Sequence, residues 1–294
     1  MPLITVILPT CDRPDLVGRA LASVLAQAGV EFEVALVDSN HRTPPVRDNP
    51  ALAALLADPR VRVIEPQPHP RNASEARNAG IAAARGEWIT YLDDDDVYLA
   101  GKMQRQLALA LATAAPLVLC GYEVNLPLRR RVRQVARAEF TGDECLVGAD
   151  YPTPMIFHRA DPAARFDPAL RAGHDHVFAV EYLVRHKFLR VPCVQASLVS
   201  VFLQDGPRVN TEVYEVWRAH RVCMQRCGRA FSRPARRAYL ATGLLMRARG
   251  GHGGLGHFIH CLHCVLATRG WRSWRLLVNA AVIRSGWFRR WMVT

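Results

Sequence analysis

The chain of 294 residues has no apolar run near the roughly 20 residues that cross a bilayer; its longest reach about a dozen. It has no internal repeat and no low-complexity segment, and no basic-then-apolar leader opens it, because Met1 to Pro9 runs straight into a strand pattern. Half of it is hydrophobic and 22% is charged, which excludes a mainly disordered, collagenous or disulfide-scaffold protein. Its eight cysteines are spread over the whole length, and without a leader they read as free thiols in a reducing compartment. The expectation is a cytoplasmic chain. Acidic residues are scarce in one region only. Residues 208–294 hold 16 Arg against Glu212 and Glu215, whereas residues 1–207 hold 22 Lys and Arg against 24 Asp and Glu. The net charge of +12 therefore belongs to the last third.

What is present begins with Leu3 to Leu8, an apolar, β-branched run ended by Pro9 that reads as a buried parallel strand. Leu16 to Gln27 carries apolar residues at helical spacing, entered through Asp12-Arg13-Pro14. Phe32 to Val37 reads as a second strand, residues 50–57 as a helix, and Val61 to Ile64 as a third strand. Ser74 to Ala84 reads as a helix without the acidic partner of a capping box, stopped by Gly86, and Trp88 to Leu92 as a fourth strand. Strand and helix alternating four times within about 95 residues indicate an α/β layer structure around a mainly parallel sheet. Pro116 to Cys120 and Met155 to His158 look like later strands. Arg165 to His176 reads as a loop-rich region before a helix from Val177 to His186.

In such sheets ligands bind beyond the carboxyl ends of the strands. Asp12, Asp38 and Asp93 to Asp96 all fall at that edge although they are far apart in sequence. Four adjacent aspartates cannot all be ionised together without a counter-charge. Carboxylates at a strand end hold hard divalent cations, Mg²⁺ or Mn²⁺, which bridge phosphate oxygens. A solvated acidic turn is the plain alternative.

The chain resembles glycosyltransferase family 2, the inverting nucleotide-sugar transferases of the GT-A fold. The resemblance rests on Val6 to Leu16, Ala20 to Gln27, Val34 to Asn40, Ala76 to Gly80 and Ala84 to Asp96, in the family's order and spacing. It implies the GT-A fold and a nucleotide-diphosphate sugar donor. It further implies Thr10 and Arg13 beside the nucleotide, Asp38 on the base or ribose, and Arg77 near the base and phosphates. Asp93 or Asp94 would face the ribose and Asp95 would hold the metal, Mn²⁺ or Mg²⁺. Ser39 and Asn40 depart from the acidic residue and glycine that often follow in the family. A plain helix-surface arginine is the other reading of Arg77.

The second half matches more loosely. Gly173-His174-Asp175-His176 resembles the acceptor-side segment, where the second of an acidic pair is the catalytic base; that position is Asp175. His174 replaces the usual glutamate. An inverting transfer needs a base that removes the acceptor hydroxyl's proton as its oxygen attacks the anomeric carbon. His174 and His176 are candidates to bind the acceptor, or to supply the base themselves. Where relatives carry a further histidine, this chain offers Gln204 and Asp205.

In the last third, Trp271, Trp274, Leu277 and Val278 recur at helical spacing with Arg269, Arg272 and Arg275 between them. Arginines beside aromatics on an amphipathic stretch suit an anionic membrane surface, and a packed helical subdomain with a solvated basic face is the alternative. His257, His260, Cys261, His263 and Cys264 have some look of zinc ligands, but the apolar residues around them favour a core helix. No nucleic-acid recognition motif is visible.

The resulting expectation is a GT-A glycosyltransferase domain over residues 1–207 and a basic helical region over 208–294. The enzyme would move a sugar to a hydroxyl of a glycan, lipid-linked on account of the basic tail, on the inner face of the membrane. One rival is a sugar nucleotidyltransferase, disfavoured because no Gly-rich, Lys-bearing phosphate loop opens the chain. The other is a degenerate sugar-binding module at the membrane, which the intact aspartate cluster opposes.

Overall fold

The structure is a computed structural model that describes residues 3–126, 129–133, 138–149, 151–202 and 213–249. The basic aromatic stretch, the His/Cys stretch after His257, and Gln204 with Asp205 all lie outside the described residues.

Strands β1 (Ile4–Thr10) and β2 (Phe32–Asp38) are buried along their whole length. Their mostly apolar character fits that, since helices cover both faces of a parallel sheet, and the buried Glu33 of β2 is paired with Arg62. Helix α1 (Pro14–Leu25) joins them, starting on a proline whose fixed φ suits a first helical turn. The helix expected over 50–57 is shorter, a 3₁₀ turn at Pro50–Leu52 running into one α turn, α2 (Ala53–Leu56). Strand β3 (Val61–Ile64) follows, then helix α3 (Ala73–Ala83) and strand β4 (Trp88–Tyr91). The chain continues through β5 (Val97–Tyr98), α4 (Lys102–Thr113), β6 (Leu117–Leu126), β7 (Arg129–Arg133), β8 (Glu139–Thr141) and α5 (Glu144–Val147). It ends in β9 (Phe157–Arg159), α6 (His174–Arg185), β10 (Arg190–Phe202), α7 (Val213–Cys227) and α8 (Arg233–Arg249).

The strand order is β3-β2-β1-β4-β9-β6-β10-β5, with β7 on β6 and β8 on β10. Neighbours pair in parallel except where β9 and β5 run against theirs, so the path is mainly parallel and mixed in its second half. The carboxyl ends of β1, β2, β4, β6 and β10 consequently share one edge. Phe202, the last residue of β10, donates its backbone N–H to Asp96 Oδ1 there at 3.2 Å.

Three boundaries differ from the sequence reading. Helix α3 is capped by Asn72, whose side chain accepts from the Glu75 N–H at 3.0 Å, while Glu75 reaches back to the Arg71 N–H at 2.7 Å. An acidic partner, Glu75, therefore exists, and the cap it serves lies two residues before the expected start. Strand β4 stops at Tyr91. Helix α6 begins at His174, so Asp175 lies in a first helical turn and not in a loop. At Gly80, a Cβ would overlap the Ile7 side chain of β1, so α3 rests against the sheet at a separation only glycine permits. In the described part of the basic region, Cys223, Cys227, Phe231 and Tyr239 of α7, α8 and their connection join the main core.

Candidate active site

Loop ends at the shared edge bring the charged residues together. Thr10 closes β1 and donates its hydroxyl to Asp94 Oδ2 at 2.9 Å. Arg13, three residues on, lies 3.2 Å from Asp94 and 3.1 Å from Asp95. Arg19, one turn into α1, donates to the Asp95 carbonyl at 2.7 Å while its guanidinium stacks on Phe202, 3.9 Å from the ring centre. Thus three segments (β1 with the loop after it, α1 and the end of β10) converge on the aspartates in the turn after β4.

The four aspartates are not equivalent. Asp94 and Asp96 are buried, Asp93 and Asp95 partly exposed. Burial raises the Asp94 carboxyl to about 6, against the pull of Arg13. Burial and the charges of Asp93 and Asp95 raise Asp96 to about 8. Arg77, buried on α3, pairs with Asp93 Oδ1 through one guanidinium nitrogen. Its other terminal nitrogen donates to His174 Nε2 at 3.1 Å. The guanidinium has no lone pair to offer, so His174 accepts through Nε2 and carries its proton on Nδ1. That Nδ1 is buried and has no partner among the described residues.

Asp175 lies one residue further. Its Oδ1 accepts from the His176 N–H at 2.8 Å, and burial pushes its carboxyl up from the ordinary value. Both flanking imidazoles are neutral. Burial and the charge of Arg77 lower His174 to about 4, and burial lowers His176 to about 3. His176 turns from the edge towards the helical layer, stacking on Tyr239 of α8 at 5.1 Å and meeting Tyr151 edge-on at 5.2 Å.

The α6 segment is tied to α3 by side chains the sequence reading passed over. Asn78 exchanges two hydrogen bonds of 2.8 Å with the Phe166 backbone. Phe166 in turn stacks on Phe178 with ring centres 4.2 Å apart. Arg77 lies 5.6 Å over the Phe166 ring. Beneath the aspartates, Lys102 is fully buried, donates to Thr90 Oγ1 at 2.8 Å and faces the Tyr98 ring; burial lowers its ammonium to about 8.

Asp38 and Asp12 hold loops. Asp38 accepts from the Asn40 N–H at 2.9 Å and the Val46 N–H at 2.7 Å. Asp12 accepts at Oδ1 from the backbone N–H groups of His41, Arg42 and Thr43 at 2.8–3.0 Å. The structure therefore assembles Thr10, Arg13, Arg77, Asp93, Asp94, Asp95, His174 and Asp175 along one edge. It leaves Asp38 engaged with the backbone and turns His176 into the helical packing.

Residues 5–162, more than half the chain, match the family model described as "Glycosyl transferase family 2". The chain is 32% identical over 200 residues to the succinoglycan biosynthesis protein ExoO of Rhizobium meliloti (strain 1021), covering 62% of this chain and 56% of that protein. It is 30% identical over 105 residues to a GalNAc(5)-diNAcBac-PP-undecaprenol beta-1,3-glucosyltransferase of Campylobacter jejuni, covering 35% of this chain and 33% of the relative. The chain spans about half the length, or less, of the curated relatives it matches. The crystal structure of S. aureus TarS 1-349 in complex with UDP superposes with a TM-score of 0.65 at 16% identity, covering 96% of this chain and 87% of that one. That likeness shows a shared GT-A architecture. With the family's segments placed along one sheet edge and the family match spanning them, the chain belongs to glycosyltransferase family 2.

Proposed function

We propose that this glycosyltransferase transfers a sugar, with inversion, from a nucleotide-diphosphate donor to a hydroxyl of a lipid-linked glycan in cell-surface polysaccharide assembly. The observation that carries the reading is the pairing of two unlike carboxylate groups across Arg77. On one side is a cluster rich in negative charge, and on the other is a single, partly buried carboxylate between neutral imidazoles.

The donor side is read as follows. Thr10, Arg13, Asp38, Arg77, Asp93 and Asp94 border the nucleotide sugar. UDP is the first nucleotide to test, because relatives and fold neighbours are described with UDP or UDP-sugars. Four aspartates face few cations, and two of them have carboxyls raised by burial. This all-oxygen, under-neutralised set fits Mg²⁺ or Mn²⁺. Asp95 is the ligand assigned to that ion, being partly exposed and shared only with Arg13 among the described side chains. When bound, such an ion neutralises charge developing on the departing diphosphate.

On the acceptor side, Asp175 is the general base. It takes the acceptor hydroxyl's proton as that oxygen attacks the anomeric carbon from the face opposite the diphosphate. Its raised carboxyl makes it the stronger base. His174 Nδ1–H, a buried donor without a partner among the described residues, is available to orient the acceptor, and Arg77 fixes the ring that carries it. His176 supports the helix turn from within. The membrane seat rests on the acceptors named for relatives and on the basic tail. Among the described residues no helix is long and apolar enough to cross a membrane.

The test is Mn²⁺- or Mg²⁺-dependent hydrolysis of a panel of UDP-, GDP- and dTDP-sugars, following release of the nucleoside diphosphate. One donor should turn over, and turnover should vanish in Asp95→Ala and with chelator. No turnover and no nucleotide binding by calorimetry would sink the reading.

A further inference from the structure

Beside the donor pocket, three side chains with metal-binding atoms meet on two loops. Cys11 and Asp12 follow β1, and His41 follows β2. Cys11 Sγ lies 3.6 Å from His41 Nδ1 and 3.8 Å from Asp12 Oδ2. Asp12 Oδ2 lies 3.3 Å from His41 Nδ1. A tetrahedral zinc ion with Zn–S of about 2.3 Å and Zn–N and Zn–O of about 2.0–2.1 Å separates its ligand atoms by roughly 3.3–3.6 Å. The triangle already has those edges to within about 0.2 Å.

The geometry points to a second metal site, in which Cys11, Asp12 and His41 bind one zinc-like divalent ion and leave its fourth position to water. The donor set separates it from the aspartate cluster. Thiolate and imidazole select borderline ions such as Zn²⁺, and carboxylates alone select Mg²⁺ or Mn²⁺.

The supporting contacts hold the ligands before any ion arrives. Asp12 has φ +54°, in the left-handed region, and its Oδ1 gathers three consecutive backbone N–H groups of the opposite loop. This leaves Oδ2 turned towards Cys11 and His41. The Asp12 N–H donates to Asn40 Oδ1 at 2.6 Å, and Asn40 Nδ2 donates to the Pro44 carbonyl at 2.9 Å. An ion at this point closes a ring between the β1 and β2 loops, which both border the donor pocket. Binding releases the Cys11 thiol proton to solvent.

One group competes. The Arg42 side chain lies 3.5 Å from Asp12 Oδ2 and donates to His41 Nε2 at 3.4 Å. That bond puts the imidazole proton on Nδ1, which faces the Ser39 carbonyl at 3.3 Å. Ligation through Nδ1 moves the proton to Nε2 and displaces Arg42. Removing the arginine side chain therefore strengthens the site, while its backbone N–H still serves Asp12.

The test titrates chelator-stripped full-length protein with Co²⁺ in excess Mg²⁺, which competes for sites made of carboxylates alone, and reads the sulfur-to-cobalt charge-transfer band. No donor or turnover is involved, so the outcome is independent of the function proposed above. One equivalent should bind with that band. Cys11→Ser should abolish the band, His41→Gln should weaken binding by about 10–100-fold, and Arg42→Ala should tighten it. A wild type without the band would overturn the site, and so would a band that survives Cys11→Ser.

Discussion

The two sides of Arg77, proposed above as donor and acceptor sides, use the same chemical group in opposite surroundings. After β4, four aspartates crowd together against Arg13 and Arg77, and burial splits them into two buried and two partly exposed carboxylates. At the start of α6, Asp175 is alone between imidazoles that burial keeps neutral. The first arrangement accumulates negative charge, which is the ground for the cation proposed there. In the second, burial raises the carboxyl against the opposing pull of the His176 N–H and the Arg77 charge. The function of a carboxylate here follows from its neighbours more than from its residue type.

The strongest way to break this contrast is Asp175→Asn, which keeps shape and removes the proposed base. Transfer to acceptor should fall by about 10²–10⁴-fold, with nucleotide binding by calorimetry unchanged. An equal loss of nucleotide affinity would place Asp175 on the donor side.

Arg77 joins the two sides, so Arg77→Met should affect both. It leaves Asp93 without its partner and His174 without its donor, and should lower stability by about 1–3 kcal/mol in denaturant unfolding. It should also raise the donor KM. A variant altered only in stability would show that the bridge is structural.

The raised aspartates and the lowered histidines pull stability in opposite directions with pH. Asp94 and Asp96, at about 6 and about 8, keep protons that the unfolded chain has released, so stability falls as pH rises from about 4 to 8. His174 and His176, with the core His158 lowered to about 4 by burial, stay neutral where the unfolded chain protonates, so stability falls as pH drops below about 6.5. Metal-free protein should therefore be most stable near pH 6.5 by thermal unfolding. Asp96→Asn should flatten the alkaline limb only; an unchanged limb would refute the assignment.

The smallest effect sharpens the comparison by touching neither side. Asn72→Ala removes the α3 cap and should cost about 1 kcal/mol, leaving kinetic constants unchanged.

The edge that carries the aspartates was largely legible in the sequence because those carboxylates are adjacent and β1 and β2 are mostly apolar. Strands β1 and β2 fall within two residues of their expected ends. The α3 cap was misplaced because Ser74 and Asn72 are both capping residues, and only the backbone geometry at Asn72 decides between them. Arg19 carried no signal, since its partner is a main-chain carbonyl 76 residues away. The acceptor side was harder to read. The turn of His176 towards Tyr239 depends on packing across 63 positions, which no local pattern records. Strand β7, nearly all arginine, has no apolar alternation by which to be recognised.

The close seat of α3 on β1 at Gly80 gives the site a hidden scale setting. Arg77 stands less than one turn before that glycine, so its reach to Asp93 and His174 depends on how near the helix axis lies to the sheet. Adding a methyl group at Gly80 would lift the axis, and trimming Ile7 to alanine would let it settle again. The spacing between donor and acceptor groups is thus adjustable from inside the core, through volume alone, without altering any residue that meets a ligand.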